Sequence, residues 1–142
     1  MPEKILVLAL GSNLGDRQTY LSFAQTKLAE TLGKILALSP IYETEPYGVS
    51  HTEKYLNQVL VLKTTFEADL ILETTQQIEK QAGRLQKGDL SPRNLDIDIL
   101  YLGHLFVKQS NLEIPHPRIQ ERRFVTQPLS DVLPFWKFPD DL

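Results

Sequence analysis

Asp96 and Asp98 stand two residues apart in the apolar run Leu95-Asp96-Ile97-Asp98-Ile99-Leu100-Tyr101. Side chains alternate faces along a β-strand, so the two carboxylates share one face. Leu95, Ile97 and Ile99 point to the other face, toward a core. The aspartate Cα atoms would lie about 6.5–7 Å apart, at a rise of about 3.3 Å per residue. Carboxylates at that spacing suit a pair of Mg²⁺ ions about 3.5–4 Å apart. Without a cation, two like charges side by side repel each other. A solvated acidic strand face has the same spacing, so the pair alone is a weak signal and its neighbours must decide.

Mg²⁺ on such a pair serves phosphate chemistry, because the ion bridges and neutralises phosphate oxygens. That chemistry also needs cationic side chains across the polyphosphate. Arg93 lies three positions before Asp96, an odd offset that a regular strand would send to the opposite face. Pro92 delays the start of the strand, so Arg93 can turn onto the aspartate face from the loop. Arg84, Lys87, His116, Arg118, Arg122 and Arg123 are further candidates. Any one of these alone reads as a solvated surface charge; the grouping of His116, Arg118, Arg122 and Arg123 after Ile114-Pro115 weakens that reading. Gly11-Ser12-Asn13-Leu14-Gly15-Asp16 lacks the lysine of a phosphate loop and the spacing of a dinucleotide fingerprint, and reads as turn and capping chemistry. A nucleotide must then be gripped by side chains and metal. Tyr42-Glu43-Thr44-Glu45-Pro46-Tyr47-Gly48 and Tyr55-Leu56-Asn57 set aromatics beside amide and hydroxyl groups. This mixture suits a flat, hydrogen-bonding heterocycle, or equally a tyrosine-rich core and rim.

The elements that must position these residues follow from periodicity. Ile5–Leu10 is continuously apolar, which predicts a buried central strand. A helix follows from about Asp16, with Leu21, Ala24, Leu28, Thr31 and Leu32 at helical spacing and Gly33 as a C-cap. Ile35–Thr44 predicts a second strand, 45–53 a loop, and Tyr55–Thr65 a third strand. A second helix is predicted from about Glu67 to Ala82, with Leu70, Ile71, Thr74, Ile78 and Ala82 on one face and Gly83 as its cap. The loop 85–92 leads into the aspartate strand. Gly103-His104 predicts a turn into an edge strand around Leu105–Val107. After Pro115 a short helix and an irregular packing segment, Phe124–Pro134, are expected. The order β-α-β-β-α-β is the ferredoxin-like order. It predicts an α+β fold, an antiparallel sheet with helices packed against its faces, two of them on one face.

The whole chain sets bounds. Its 142 residues suit a single domain, 1–142, able to bury about two-thirds of its unfolded surface. The 42% hydrophobic and 23% charged fractions are those of an ordinary globular protein. There are no cysteines, which excludes disulfides and thiolate metal sites. A net charge of −3 offers no basic field for nucleic acid. No apolar run approaches a membrane span, and the N-terminus makes a poor signal peptide, so a cytoplasmic protein is expected.

Together these segments resemble the 6-hydroxymethyl-7,8-dihydropterin pyrophosphokinases, folate-pathway enzymes that move diphosphate from ATP to a pterin alcohol. Pro92-Arg93-Asn94-Leu95-Asp96-Ile97-Asp98-Ile99 is similar to the family's P-R-x-x-D-[LIV]-D-[LIV] signature. Supporting pieces are Leu8–Arg17, Tyr42-x-Thr44-x-Pro46-x-Gly48, Tyr55-Leu56-Asn57, Gln76-x-x-Glu79-x-x-x-Gly83-Arg84, Ile114-Pro115-His116-Pro117-Arg118 and Arg122-x-Phe124. The resemblance covers nearly the whole chain and implies a ferredoxin-like fold. It implies that Asp96 and Asp98 bind two Mg²⁺ ions and that Arg84 and Arg93 stabilise the transferring group. Gln76, Glu79, Arg84, Arg93, Ile99, His116 and Arg122 would form the ATP site. Thr44, Pro46, Tyr47, Tyr55, Asn57 and Phe124 would form the pterin site. The implied partners are ATP and a hydroxymethyl-dihydropterin, with no nucleic acid and no membrane, and the protein is expected as a monomer. Gln86 stands where many members have arginine, and Leu90-Ser91 where a Trp-Gly or similar pair is common. Closure over the substrates is therefore expected to depend more on Lys87 and less on aromatic packing. A sensor domain on the same scaffold would not need the aspartate pair with its arginines. Other D-x-D nucleotide transferases usually need a larger donor-binding domain.

Overall fold

A computed structural model describes residues 2–13, 15–44, 54–83 and 94–117. Seven strands and two helices follow in the order β1 (Lys4–Ser12), α1 (Arg17–Thr31), β2 (Ile35–Leu38), β3 (Tyr42–Thr44), β4 (Tyr55–Thr64), α2 (Ala68–Gln81), β5 (Asp96–Leu102), β6 (Val107–Gln109) and β7 (Leu112–Ile114). The main sheet has the order β2-β4-β1-β5, with β3 also on β4, and all its pairings are antiparallel. Counting β2 and β3 as one interrupted strand, this is the split βαβ arrangement expected from the element order.

The interruption corrects the expectation of one strand over 35–44. Pro40 has no N–H to give to the ladder, so the pairing breaks there. Ser39 carries the ladder past the break. Its N–H donates to the Val59 carbonyl (2.9 Å), and its Oγ accepts from the Val59 N–H (2.9 Å).

Both helices pack on one face of the sheet. Leu21, Ala24, Leu28 and Leu32 of the first helical segment and Ile71, Leu72, Ile78 and Ala82 of the second share a core with Leu6, Leu8, Leu10, Leu60, Leu62, Ile97 and Ile99. Two assignments to the helix faces change. Thr31 is exposed and its hydroxyl turns back to the Lys27 carbonyl (2.7 Å). Leu70 is 47% exposed, and the buried stripe of α2 is Ile71, Leu72, Thr75, Ile78 and Glu79. The buried stripe runs Ile71-Thr75-Ile78 and Leu72-Thr75-Glu79 at i+3/i+4 spacing, which leaves Leu70 exposed and Thr74 half-buried beside it. Asp16 caps α1, its Oδ1 accepting from the Thr19 N–H (3.2 Å), and hydrogen bonds from the Thr19 side chain first and its N–H second hold the carboxyl below the ordinary aspartate value. Gly33 sits at φ +151°, and a Cβ there would run into the Lys63 carbonyl, so only glycine allows the turn into β2 to pass so close to β4.

A second correction concerns the C-terminal side of β5. In place of a lone edge strand near Leu105–Val107, β6 and β7 form a separate two-stranded hairpin. Its Leu112 and Ile114 are buried in the main core. Leu105 and Phe106 precede it and are exposed. The Gly103-His104 turn is as expected, with Gly103 at φ +55°. The segments expected after Pro117, and the loops 45–53 and 84–93, lie outside the described residues.

Candidate active site

The aspartate strand behaves as its alternation demands. Leu95, Ile97 and Ile99 are buried toward the helices, at 0%, 1% and 5% exposure, while Asp96 and Asp98 are half-buried on the opposite face. Register then decides what they meet. Asp96 pairs with Gly11, and Gly11 pairs with Asn57; Asp98 pairs with Ala9, and Ala9 pairs with Val59. Directly paired residues point to the same side of a sheet. Asp96, Asp98, Gly11 and Asn57 therefore share the face opposite α1 and α2. Tyr55, two positions from Asn57, joins them, as do Tyr42 and Thr44, which pair with Asn57 and Tyr55.

Gly11 is the low point between the two halves. A Cβ there would touch the Tyr55 ring and Asn57 Oδ1, each at 3.6 Å. The sequence reading took Gly11 as turn chemistry; its role as the floor beneath Tyr55 shows only through cross-strand register. Asn57 donates through Nδ2 to Thr44 Oγ1 (2.7 Å), which ties the amide and hydroxyl of the expected pterin pocket to each other. Neighbouring strands lie about 4.8 Å apart, so Asp96 and Asn57 are separated by about 10 Å along this row.

The second feature lies along the outer edge of β5. A cavity of 260 Å³ is walled by Leu72, Ile97, Asp98, Ile99, His116 and the hairpin residues Gln109–Glu113, with Pro117 at one end. Ile99 and His116, which the resemblance implies for the ATP site, line this cavity, and Asp98 lies between it and the face that carries Asp96. The His116 N–H donates to the Leu100 carbonyl (3.0 Å), which fixes the chain against the strand edge. The hairpin side of this cavity escaped the sequence reading. Its one local signal is the polar turn Ser110-Asn111 ahead of the alternating Leu112-Glu113-Ile114.

Glu79 is placed differently from a wall residue. It is 2% exposed, and its Oε2 accepts from the Ile97 N–H (2.7 Å), midway between the two aspartates. Gln76 is half-buried on the same helix and is not among the residues lining the cavity. Asn94 adds a second tie, donating to the Ala82 carbonyl at the end of α2 (2.6 Å). Gly83, at φ +96°, packs so close that a Cβ would come 2.6 Å from Asn94 Nδ2. Helix α2 thus grips β5 on both sides of Asp96. Arg84, Arg93, Arg122, Pro46, Tyr47 and Phe124, with Lys87, lie outside the described residues.

The donor set suits Mg²⁺. Asp96 and Asp98 offer hard oxygen ligands, and among the described residues no cluster of three or more acidic, histidine or cysteine side chains closes a cage. Mg²⁺ is commonly held by one or two carboxylates and completed by substrate phosphates and water.

Fold and site together define an α+β, ferredoxin-like phosphotransferase with an acidic strand between a polar-aromatic face and an edge cavity. The chain belongs to the 7,8-dihydro-6-hydroxymethylpterin-pyrophosphokinase (HPPK) family, whose family model matches residues 7–134. It is 44% identical over 140 residues to the 2-amino-4-hydroxy-6-hydroxymethyldihydropteridine pyrophosphokinase of Porphyromonas gingivalis, covering 96% of this chain and 95% of that one. It is 40% identical over 129 residues to the Bacillus subtilis enzyme of the same name, covering 90% and 77%. A crystal structure of Plasmodium falciparum HPPK-DHPS with pteroate superposes with a TM-score of 0.78 at 18% identity. That likeness shows the fold. It covers 99% of this chain, which spans 41% of the longer protein. Among the described residues no helix is long and apolar enough to cross a membrane.

Proposed function

We infer that this chain transfers diphosphate from ATP to the hydroxymethyl group of 6-hydroxymethyl-7,8-dihydropterin, releasing AMP, as a step of folate biosynthesis. The observation that carries the reading is the register row Asp96–Gly11–Asn57. It sets the acidic pair and the amide-aromatic pocket on one face, about two strand spacings apart.

The pterin ring lies against Tyr55 over Gly11. Stacking a flat heterocycle on an aromatic ring is worth about 1–3 kcal/mol. Asn57 and Thr44 meet its hydrogen-bonding edge, with Pro46, Tyr47 and Phe124 completing the pocket. The Asn57 amide gives one N–H to Thr44, which orients Oδ1 to accept from an N–H of the ring edge. The nucleotide occupies the edge cavity beside Ile99 and His116, with Gln76, Glu79 and Arg122 supporting its site. Asp96 and Asp98 hold two Mg²⁺ ions, which supply charge neutralisation on the phosphate oxygens. Arg84 and Arg93 offset the remaining charge as it shifts.

In the reaction the pterin hydroxyl oxygen bonds to the β-phosphorus. The bond from that phosphorus to the bridging oxygen breaks, AMP leaves with the electron pair, and the hydroxyl proton passes to solvent. The chain's own contribution is alignment and charge, which is where most of the catalysis of phosphoryl transfer resides. The enzyme acts as a monomeric single domain in the cytoplasm.

Incubation with ATP, Mg²⁺ and the pterin alcohol, followed by identification of the nucleotide product, tests this. AMP in equal amount to pterin diphosphate is expected. ADP, or no turnover by a folded protein, would overturn it.

A further inference from the structure

We infer that Arg17 is a positioning residue for the pterin pocket, acting from the opposite side of the sheet. Arg17 opens α1, immediately after the Asp16 cap. A cation at a helix N-terminus opposes the helix dipole, and beyond the Asp16 cap no acidic residue of the first turn of α1 offsets it. Local preference and observed residue therefore conflict, which marks a position held for another reason. The side chain supplies that reason. One guanidinium nitrogen, Nη1, donates to Glu43 Oε2 (3.0 Å) and to the Lys54 carbonyl (2.7 Å).

These two partners are not arbitrary. Glu43 is the residue before Thr44, and Lys54 the residue before Tyr55. Thr44 and Tyr55 are cross-strand partners at the last rung of the β3–β4 ladder. A three-residue strand interrupted upstream by Pro40 holds its partner weakly by itself, since its ladder is too short to fix its end. Arg17 bridges both chains at that end. Glu43 alternates with Tyr42 and Thr44, so its side chain leaves the sheet on the helix side, where Arg17 waits. Arg17 therefore touches the back of the rung while Tyr55 and Thr44 present its front. It sets the spacing between the Tyr55 ring and the Thr44–Asn57 pair without reaching substrate.

This inference rests on the reading of Thr44 and Tyr55 as pterin contacts, so the test includes a variant of that reading. Steady-state KM values for the pterin alcohol and for ATP, kcat and Tm are measured for Arg17→Met, Arg17→Lys, Glu43→Gln and Tyr55→Ala. Arg17→Met is expected to raise the pterin KM about tenfold, with the ATP KM and kcat within about twofold of the parent. Arg17→Lys recovers part of the loss, because an ammonium still reaches both oxygens, and Glu43→Gln shows a smaller rise of the same kind. Tyr55→Ala raises the pterin KM as well. An unchanged pterin KM in Arg17→Met, with a raised one in Tyr55→Ala, overturns the role of Arg17 and leaves the pocket standing. No effect from Tyr55→Ala removes the pocket reading, and this inference with it. An equal rise in both KM values with a large fall in Tm also overturns it, because that is the mark of general destabilisation.

Discussion

The carboxylates of Asp96 and Asp98 sit half-buried on one strand face, with a cavity on one side and an amide-aromatic pocket on the other. Neither side chain is needed by the core, because the residues between and beside them supply it: Leu95, Ile97 and Ile99. Replacing either aspartate by asparagine keeps the shape and removes the charge that holds the cation. Asp96→Asn and Asp98→Asn are each expected to lower turnover by at least about 10²-fold, measured as AMP release at saturating Mg²⁺. Their Tm should be unchanged or slightly higher, because a like-charge repulsion is relieved. A folded variant keeping about a tenth or more of the parental rate would remove that aspartate from the cation site. This residue-scale expectation was legible in the sequence, because two-residue alternation is a local property of an extended chain. What Gly11 does was not legible there. Its lack of a side chain matters only because Tyr55 and Asn57 arrive from β4 to lie over it.

At the scale of elements, the fit of α2 against β5 is the contact that presents the aspartates. Glu79 reaches the Ile97 N–H, and Asn94 reaches the carbonyl of Ala82, the C-cap of the helix. A buried carboxylate bonded to a strand N–H is a support for the backbone first, whatever else it touches. Glu79→Leu leaves the strand N–H without this acceptor and is expected to cost about 1–3 kcal/mol of stability by urea unfolding. Glu79→Gln keeps an oxygen at the same place and should lose much less. If Glu79→Gln is stable but its KM for ATP rises strongly, the carboxylate charge itself serves the nucleotide, as the family resemblance implied. The resemblance pointed to Glu79 as a site residue, and the helical stripe expected for α2 did not include it. Nothing local marks it as buried, because a glutamate on a helix usually faces water and only its partner across the fold changes that. The same holds for the β6–β7 hairpin. Its strands are three residues each, too short for periodicity to distinguish from loop, yet they wall the cavity.

At the scale of the molecule, one core joins the described elements that flank the site. Leu21 and Leu28 of α1, Ile71 and Ile78 of α2, and Leu112 and Ile114 of the hairpin all belong to the cluster that includes Leu8, Leu60 and Ile97. A smaller cluster of Val7, Val59, Val61, Leu100 and Tyr101 lies on the other face. Because no described element has a core of its own, the chain is expected to unfold in urea in one transition, with far-UV circular dichroism and aromatic fluorescence coinciding. Separate transitions would speak against a single folding unit. The chain by itself determined the order of the two helices and of the main-sheet strands apart from the break at Pro40, the common face of Asp96 and Asp98, and the residues that mark the family. These depend on local alternation, helical spacing and motif. Tertiary structure alone decided that Asp96 stands in line with Gly11 and Asn57, that Glu79 turns inward to the strand, and that a small hairpin closes the cavity. Each of those rests on strand register or on packing between elements distant in sequence, and a one-residue slip in register would send every side chain to the other face.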